Sequence, residues 1–359
     1  MQDSYGRKIE YLRVSVTDRC NLRCQYCMPQ EGIEQFAHAD CLTLEEIYRI
    51  VSVMADMGLK KVRFTGGEPM VRKNLVKLVG DVAKLPQIGT VAMTTNGVLF
   101  AERVEEFAGA GLNAVNISLD TLDAKQFAQI TGRDELEKVL YAVEQSLEQG
   151  LKVRINCVPV RELNGSADGQ AAGSYLSVAE LARRYPVDVR FIELMPIGCG
   201  RKFTGISGQE TLTALEACYG STVGIQKRDW DVQNEEAKNG PARYVRFEGF
   251  RGRIGFIDPL SHQFCSECNR LRLTVDGKLK LCLYYADGID LKGLIRSGAS
   301  DGDLRSEIER AVRNKPKEHR FLPEEDRGGL KKELQDRESG KAPGECGLPE
   351  TRRMVQIGG

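Results

Sequence analysis

Residues 11 to 28 read YLRVSVTDRCNLRCQYCM, a short β-branched run that passes within a few residues into Cys20, Cys24 and Cys27. Five more runs of the same kind follow: KVRFT (61 to 65), TVAMTT (90 to 95), AVNISL (114 to 119), KVRINCV (152 to 158) and DVRFIEL (188 to 194). Helical patterns separate them. Between the first two, Thr43 with Glu46 three residues on makes a capping box, and Ile47, Ile50, Val51 and Met54 recur along one helical face. Leu136, Val139, Leu140, Val143 and Leu147 repeat that pattern before the fifth run. Strands alternating with crossover helices predict an α/β fold with a parallel sheet, and six units fit an incomplete (βα)6 TIM-like barrel better than a closed eight-fold one.

In such barrels the ligand site lies at the carboxyl ends of the strands, where the unusual polar segments of this sequence fall. The cysteine loop follows the first run, and Gly66-Gly67-Glu68-Pro69 follows the second. Thr95-Asn96-Gly97 follows the third, Ser118 and Asp120 close the fourth, Asn156 ends near the fifth, and Glu193 and Met195 end the sixth. Cys20, Cys24 and Cys27 form a Cys-x3-Cys-x2-Cys trio, and far downstream Cys265, Cys268 and Cys282 form a Cys-x2-Cys-x13-Cys trio. Each is one thiolate short of a closed structural zinc site, whereas a cubane iron-sulfur cluster held by three cysteines keeps one iron open to a small molecule. For the second trio, zinc completed by His262 or by water remains open. Arg270 and Arg272 lie beside that trio, two apart on an expected strand and so on one face. With Arg13, Arg63, Arg154 and Arg190 on motif-bearing strands they point to a polyphosphate, because an inward cation is costly without an anion.

The 51 basic and 51 acidic residues balance, and 41% of the chain is hydrophobic, so bulk composition calls for neither nucleic acid nor a membrane surface. No apolar run approaches the roughly 20 residues that span a bilayer, and MQDSYGRKIE lacks the core of a signal peptide, which predicts a cytoplasmic protein. Eleven unevenly spaced cysteines argue against a disulfide framework. Outside the trios, Cys41, Cys157, Cys199 and Cys218 are expected as small packing residues, and Cys346 as exposed. Three regions are expected: a barrel over 1–195, a smaller β-containing region over 196–315, and a flexible arm with its Gly-Gly tail over 316–359. In the middle region RYVRFEGFRGRIGFID and LRLTVDGKLKLCLY read as hairpins, and LKGLIRSG and DLRSEIERAVRNK as helices. NGSADGQAAGS (164 to 174) reads as a flexible insertion in the crossover after the fifth run.

The combination CNLRCQYC, FTGGEP, TTNG, NISLD, RFIELMPIG and FCSECNRLRLTVDGKLKLCLY, with a terminal Gly358-Gly359, resembles the GTP 3′,8-cyclase family of radical S-adenosylmethionine (SAM) enzymes, which opens molybdenum-cofactor biosynthesis. The resemblance covers nearly the whole chain. It implies two [4Fe–4S] clusters, one on Cys20, Cys24 and Cys27 and one on Cys265, Cys268 and Cys282, and SAM contacts from Tyr26, Gly67, Ser118 and Met195. It implies GTP contacts from Arg13, Arg63, Thr94, Arg154, Arg190, Arg270 and Arg272, with Arg154 standing where the family leads one to expect lysine. Gly358 and Gly359 would enter the barrel mouth near GTP. The implied reaction is abstraction of the ribose 3′ hydrogen of GTP by a 5′-deoxyadenosyl radical, then attack of C3′ on C8 of guanine to give 3′,8-cyclo-7,8-dihydro-GTP. The second cluster would anchor the purine and is a candidate source of the quenching electron. Further expectations are a homodimer, an electron donor, and cyclic pyranopterin monophosphate synthase as the next enzyme. Two alternatives compete: a radical SAM peptide-modifying maturase, which would need a peptide-recognition segment where only ten residues precede the first strand, and a non-catalytic metal-binding scaffold.

Overall fold

In the computed structural model, residues 1–165, 173–223, 241–321, 350 and 352–357 are described. The six expected strands form: β1 (Tyr11–Ser15), β2 (Lys61–Thr65), β3 (Thr90–Thr95), β4 (Ala114–Ser118), β5 (Lys152–Cys157) and β6 (Asp188–Ile192). Each pairs in parallel with the next. The helices between them are α1 (Leu44–Asp56), α2 (Leu75–Ala83), α3 (Val104–Gly109), α4 (Ala124–Thr131), α5 (Leu136–Glu148) and α6 (Ala179–Arg184). The capping box forms: Thr43 Oγ1 accepts from the Glu46 backbone N–H at 3.1 Å while the Thr43 N–H donates to Glu46 Oε2 at 2.8 Å. Ile47, Ile50, Val51 and Met54 are buried as the spacing requires. On α5, Leu136, Val139 and Val143 are buried, whereas Leu140 and Leu147 are only partly covered.

After α7 (Gly208–Tyr219), the remaining strands are β7 (Arg243–Val245), β8 (Arg253–Ile257), β9 (Arg270–Leu273), β10 (Lys278–Lys280) and β11 (Ile289–Asp290), followed by α8 (Leu291–Arg296) and α9 (Asp301–Arg313). Both expected hairpins form, β7 with β8 and β9 with β10. They do not build a sheet of their own. β9 adds in parallel to β1 and β8 adds in parallel to β6, giving one sheet of 11 strands in the order β11-β10-β9-β1-β2-β3-β4-β5-β6-β8-β7. Residues from β1 through β6 and from beyond β8 and β9 line a single cavity. The sheet therefore curls around it as an open, incomplete barrel, and its edge strands β11 and β7 do not pair with each other.

Two segments expected to be loose are packed in part. Asn164, at the start of the insertion, is buried and donates to the carbonyls of Asp120 and Val158; residues 166–172 lie outside the described set. At the start of the arm, His319 and Phe321 are buried, as is Lys315 just before it, and Phe321 joins Ile197, Tyr284, Tyr285 and Ile357 in a second apolar cluster. Ile357 closes a short helix, α10 (Met354–Ile357). The sequence hides this because the apolar residues of 315 to 321 are too few to mark a periodic element. Residues 322–349, with Cys346, and Gly358 and Gly359 lie outside the described residues. Cys41 and Cys157 are buried as expected, Cys199 is partly covered, and Cys218 is exposed on the last turn of α7, beyond the buried stretch that ends at Leu215.

Candidate active site

A cavity of about 350 Å³ opens at the carboxyl ends of β1 to β6. Cys20, Cys24, Cys27 and Tyr26 line one side, on the loop that leaves β1. A turn of backbone shapes that loop: the N–H groups of Cys27 and Met28 both donate to the Cys24 carbonyl at 2.9 Å. Burial raises all three thiols, Cys20 to about 11, Cys27 to about 12 and Cys24 well above its usual value, with the neighbouring thiols adding for Cys24 and Cys27. The three side chains are half-buried, and three thiolates gathered on one short loop call for a cation among them, which an iron cluster supplies. Among the described residues, no three thiol, imidazole or carboxylate groups converge on a single-ion site.

The glycines of the loop after β2 are explained by that neighbouring loop. The Gly67 N–H donates to the Thr17 carbonyl and the Glu68 N–H to the Arg19 carbonyl, each at 2.8 Å. A Cβ on Gly67 would meet the Arg19 oxygen at 2.3 Å, and one on Gly66 would meet the Thr17 oxygen at 2.4 Å. Close backbone approach is thus already demanded inside the protein, and Gly67 also faces the cavity. Glu68 fastens the next loop: Oε1 accepts from Thr95 Oγ1 at 2.7 Å and Oε2 from the Asn96 N–H at 2.7 Å, while Asn96 Nδ2 donates to Asn21 Oδ1 at 2.8 Å. Burial pushes the Glu68 carboxyl up to about 7, against those donors. Across the mouth, Tyr26 OH donates to Asp120 Oδ2 at 2.7 Å, and Asp120 Oδ1 accepts from the Val158 N–H at 2.8 Å. Ser118 and Met195, at the ends of β4 and β6, complete this half of the lining.

Cys265, Cys268 and Cys282 line the other side with Phe264, Arg270 and Arg272. The two trios therefore face one shared space. Burial raises the Cys265 thiol; at Cys268 burial also pushes upward, but Arg270, Lys315 and Arg7 outweigh it and bring the thiol down to about 6. The Arg270 guanidinium lies 4.9 Å from the Phe264 ring centroid, a cation–π contact that orients it.

The arginines divide into two groups. Arg272, Arg13 and Arg63 stand in one lateral row, since β9 pairs Arg272 with Arg13 and β2 pairs Arg63 with Arg13. Arg13, Arg270, Arg272 and Thr94 line the cavity; Arg63, Arg154 and Arg190 do not. Two of those three support lining residues: Arg63 Nη1 donates to Thr94 Oγ1 at 3.4 Å and Arg190 Nη2 to Asn156 Oδ1 at 2.8 Å. Arg154 pairs with Asp188 at 3.6 Å, a carboxylate that Arg253 also holds through 2.9 and 3.1 Å bonds. Burial lowers Arg13 and Arg190 to about 10 each and Arg272 well below its usual range, with nearby arginines adding to the shift. The sequence reading missed Tyr11, whose hydroxyl accepts from Arg63 Nε at 2.7 Å. It also missed His319 and Met354, which line the cavity from the arm and the tail. Tyr11 was signalled only by its place two residues before Arg13 on β1.

Comparison with known proteins agrees with this layout. Residues 14–167 match the radical SAM superfamily and residues 187–321 match the Molybdenum Cofactor Synthesis C family. A GTP 3′,8-cyclase of Clostridium perfringens (strain SM101 / Type A) is 44% identical over 326 residues, covering 90% of this chain and 96% of the relative. The GTP 3′,8-cyclase of Moorella thermoacetica is 43% identical over 325 residues, covering 89% and 95%. Among solved structures, Streptococcus suis SuiB bound to S-adenosylmethionine superposes with a TM-score of 0.57 at 16% identity, over 84% of this chain and 68% of that one, a likeness of fold. Among the described residues no helix is long and apolar enough to cross a membrane.

Proposed function

The chain belongs to the GTP 3′,8-cyclase family of radical SAM enzymes, and on that premise we propose how its cavity divides the work between its two walls. Cys20, Cys24 and Cys27 hold the first [4Fe–4S] cluster, and Cys265, Cys268 and Cys282 hold the second. When bound, the first cluster with SAM would supply the 5′-deoxyadenosyl radical that takes the 3′ hydrogen of GTP; C3′ would then bond to C8, and one electron and one proton would quench the purine radical to give 3′,8-cyclo-7,8-dihydro-GTP. The protein's share is placement. Tyr26, fixed by Asp120, and the backbone at Gly67, fixed against Arg19, shape the SAM side together with Ser118 and Met195. Arg13, Arg270 and Arg272, with Thr94, face the substrate; three like charges around one cavity are offset by a triphosphate, and guanidinium forks match phosphate oxygens or purine acceptors. Arg63 and Arg190 act through Thr94 and Asn156, and Arg154 keeps Asp188 in place. Holding the ribose between a SAM wall and a guanine wall fixes the reacting carbons, the main advantage available to a radical step that has no general base. For Gly358 and Gly359, which lie outside the described residues, the proposed role is in positioning GTP.

The observation that carries this reading is the single cavity lined by both cysteine trios and three arginines, and it favours the cyclase over the maturase and scaffold readings. We further place the protein in the cytoplasm, as a homodimer that draws on an external electron donor and hands its product to cyclic pyranopterin monophosphate synthase. Anaerobic turnover of GTP with SAM and dithionite should yield 5′-deoxyadenosine and a cyclised product isomeric with GTP, of the same mass but separable from it by chromatography. SAM cleavage with GTP recovered unchanged would overturn it.

A further inference from the structure

The second cysteine trio is held from behind by two buried cations. Arg7 Nη1 donates to the Cys265 carbonyl at 2.7 Å and to the Lys317 carbonyl at 2.8 Å, and Nη2 donates to the Pro316 carbonyl at 2.7 Å. Its charge is met by Asp3, 2.5 Å away. Lys315, just beyond α9, is only 3% exposed. Its Nζ donates to the Arg270 carbonyl at 3.1 Å and to the Leu281 carbonyl. Arg270 lies two residues after Cys268, and Leu281 immediately precedes Cys282, so one ammonium ties together the two chain segments that carry those thiols. Among the described residues Lys315 forms no ion pair with a carboxylate. An ammonium buried without a counter-ion is expensive, and two carbonyl dipoles do not neutralise it. The negative charge in its neighbourhood is that of the trio, two of whose chain segments it bridges. The first trio has mixed surroundings: the Arg23 guanidinium donates to the Cys20 carbonyl at 2.7 Å, but the buried carboxyl groups of Glu68 and Asp120 also lie beside it.

We propose that Lys315 is the clasp and counter-charge of the second cluster, holding the Cys268 and Cys282 segments in register and raising that cluster's reduction potential. The inference rests on the two-cluster reading above. Reduction adds negative charge to a thiolate-bound cluster, so a fixed cation beside it favours the reduced form; net charge and hydrogen bonding are established determinants of cluster potential. Lys315 touches neither substrate nor sulfur in this account and is a positioning residue.

The test is an anaerobic iron and sulfide count with an EPR-monitored potentiometric titration of the holoenzyme, comparing wild type with Lys315→Met and Lys315→Arg. The signal that SAM perturbs belongs to the first site and serves as internal control. Two outcomes support the proposal: a full iron complement in Lys315→Met with the second midpoint potential lowered and the first unchanged, or loss of half the iron, confined to the second site, in Lys315→Met but not in Lys315→Arg. Full iron with both potentials unchanged in Lys315→Met would overturn it, as would equal loss from both variants or loss of the first cluster together with the second. A wild-type protein that binds only one cluster would instead sink the two-cluster reading, which keeps the two failures apart.

Discussion

At the scale of single residues, Tyr11 shows what the arginine row does to its surroundings. Burial alone pushes a phenol upward, yet Arg63, Arg13, Lys61 and Arg270 together draw Tyr11 down from 10.0 to about 7. Its folded pKa is depressed, so its contribution to stability is present in full above pH 10.0 and is lost as pH falls to about 7, below which the phenol is neutral in both states. A polyanion bound by the same arginines reverses the effect, because negative charge nearby disfavours the phenolate. NMR titration of ring-labelled tyrosine in the cluster-free protein should therefore find one phenol ionising near neutrality, absent in Tyr11→Phe and shifted upward by GTP. If every tyrosine titrates near its ordinary value, or if GTP leaves Tyr11 where it was, the row is not a phosphate site. The six arginines were legible in the sequence because charge on an inward strand position is abnormal. Which of them face the cavity was not, since strand alternation assigns a face and says nothing of depth, and Arg63 and Arg190 are one hydrogen bond removed from the lining.

Among the elements, the six parallel strands were legible nearly to the residue, because β-branched runs separated by amphipathic helices leave little choice of register or direction. What the pattern could not give was the company those strands keep. The downstream hairpins are correct as local units, but β9 docks beside β1 and β8 beside β6, pairings set by tertiary packing across more than 60 residues of sequence in the second case. The docking of β9 matters for the site, for it places Arg272 beside Arg13 and carries the second trio to the cavity mouth. The loop after β2 shows the converse, a motif whose residues were read correctly and whose reason was incomplete. Gly67 leaves room for a ligand and is also wedged against the Arg19 carbonyl, 2.3 Å from where a Cβ would stand. Gly67→Ala must displace backbone on one side or the other, at a cost of about 1–3 kcal/mol, and the loop displaced is the one carrying Cys20. The expected result is a lower melting temperature and depleted iron at the first site with the second site filled. Unchanged melting and full iron in Gly67→Ala would show that the two loops are free to part.

Across the whole molecule, the cavity is closed by segments that no local reading connects: the turn after β6, the stretch from Cys282 to Tyr285, the start of the arm at His319 and Phe321, and the tail at Met354. The tail's attachment is electrostatic as well as apolar. Lys280 on β10 and Glu350 form an ion pair with side chains 0% and 1% exposed, and Arg352 adds a 3.2 Å bond to Glu350 and a 3.4 Å contact with Asp276. Burial pushes the Lys280 ammonium down to about 7, with Arg352 and Arg272 adding and Cys282 and Asp276 opposing. The Arg201 guanidinium and the Tyr284 carbonyl bind the Glu350 backbone, and Ile357 is fully buried. Removing one partner of a buried pair leaves an uncompensated charge and costs about 3–5 kcal/mol, whereas replacing both with apolar groups of similar size is often neutral. Glu350→Ala should accordingly release residues 352–357 to limited proteolysis and cut GTP cyclisation while the first cluster remains and SAM is still cleaved, since the first trio lines the other side of the cavity from Cys282, the thiol two residues beyond Lys280. The double variant Lys280→Met/Glu350→Met should regain protection and much of the turnover. A Glu350→Ala enzyme as resistant and as active as the parent would show that the apolar cluster around Ile357 holds the tail by itself; a double variant no better than the single one would show that the pair does more than fasten it.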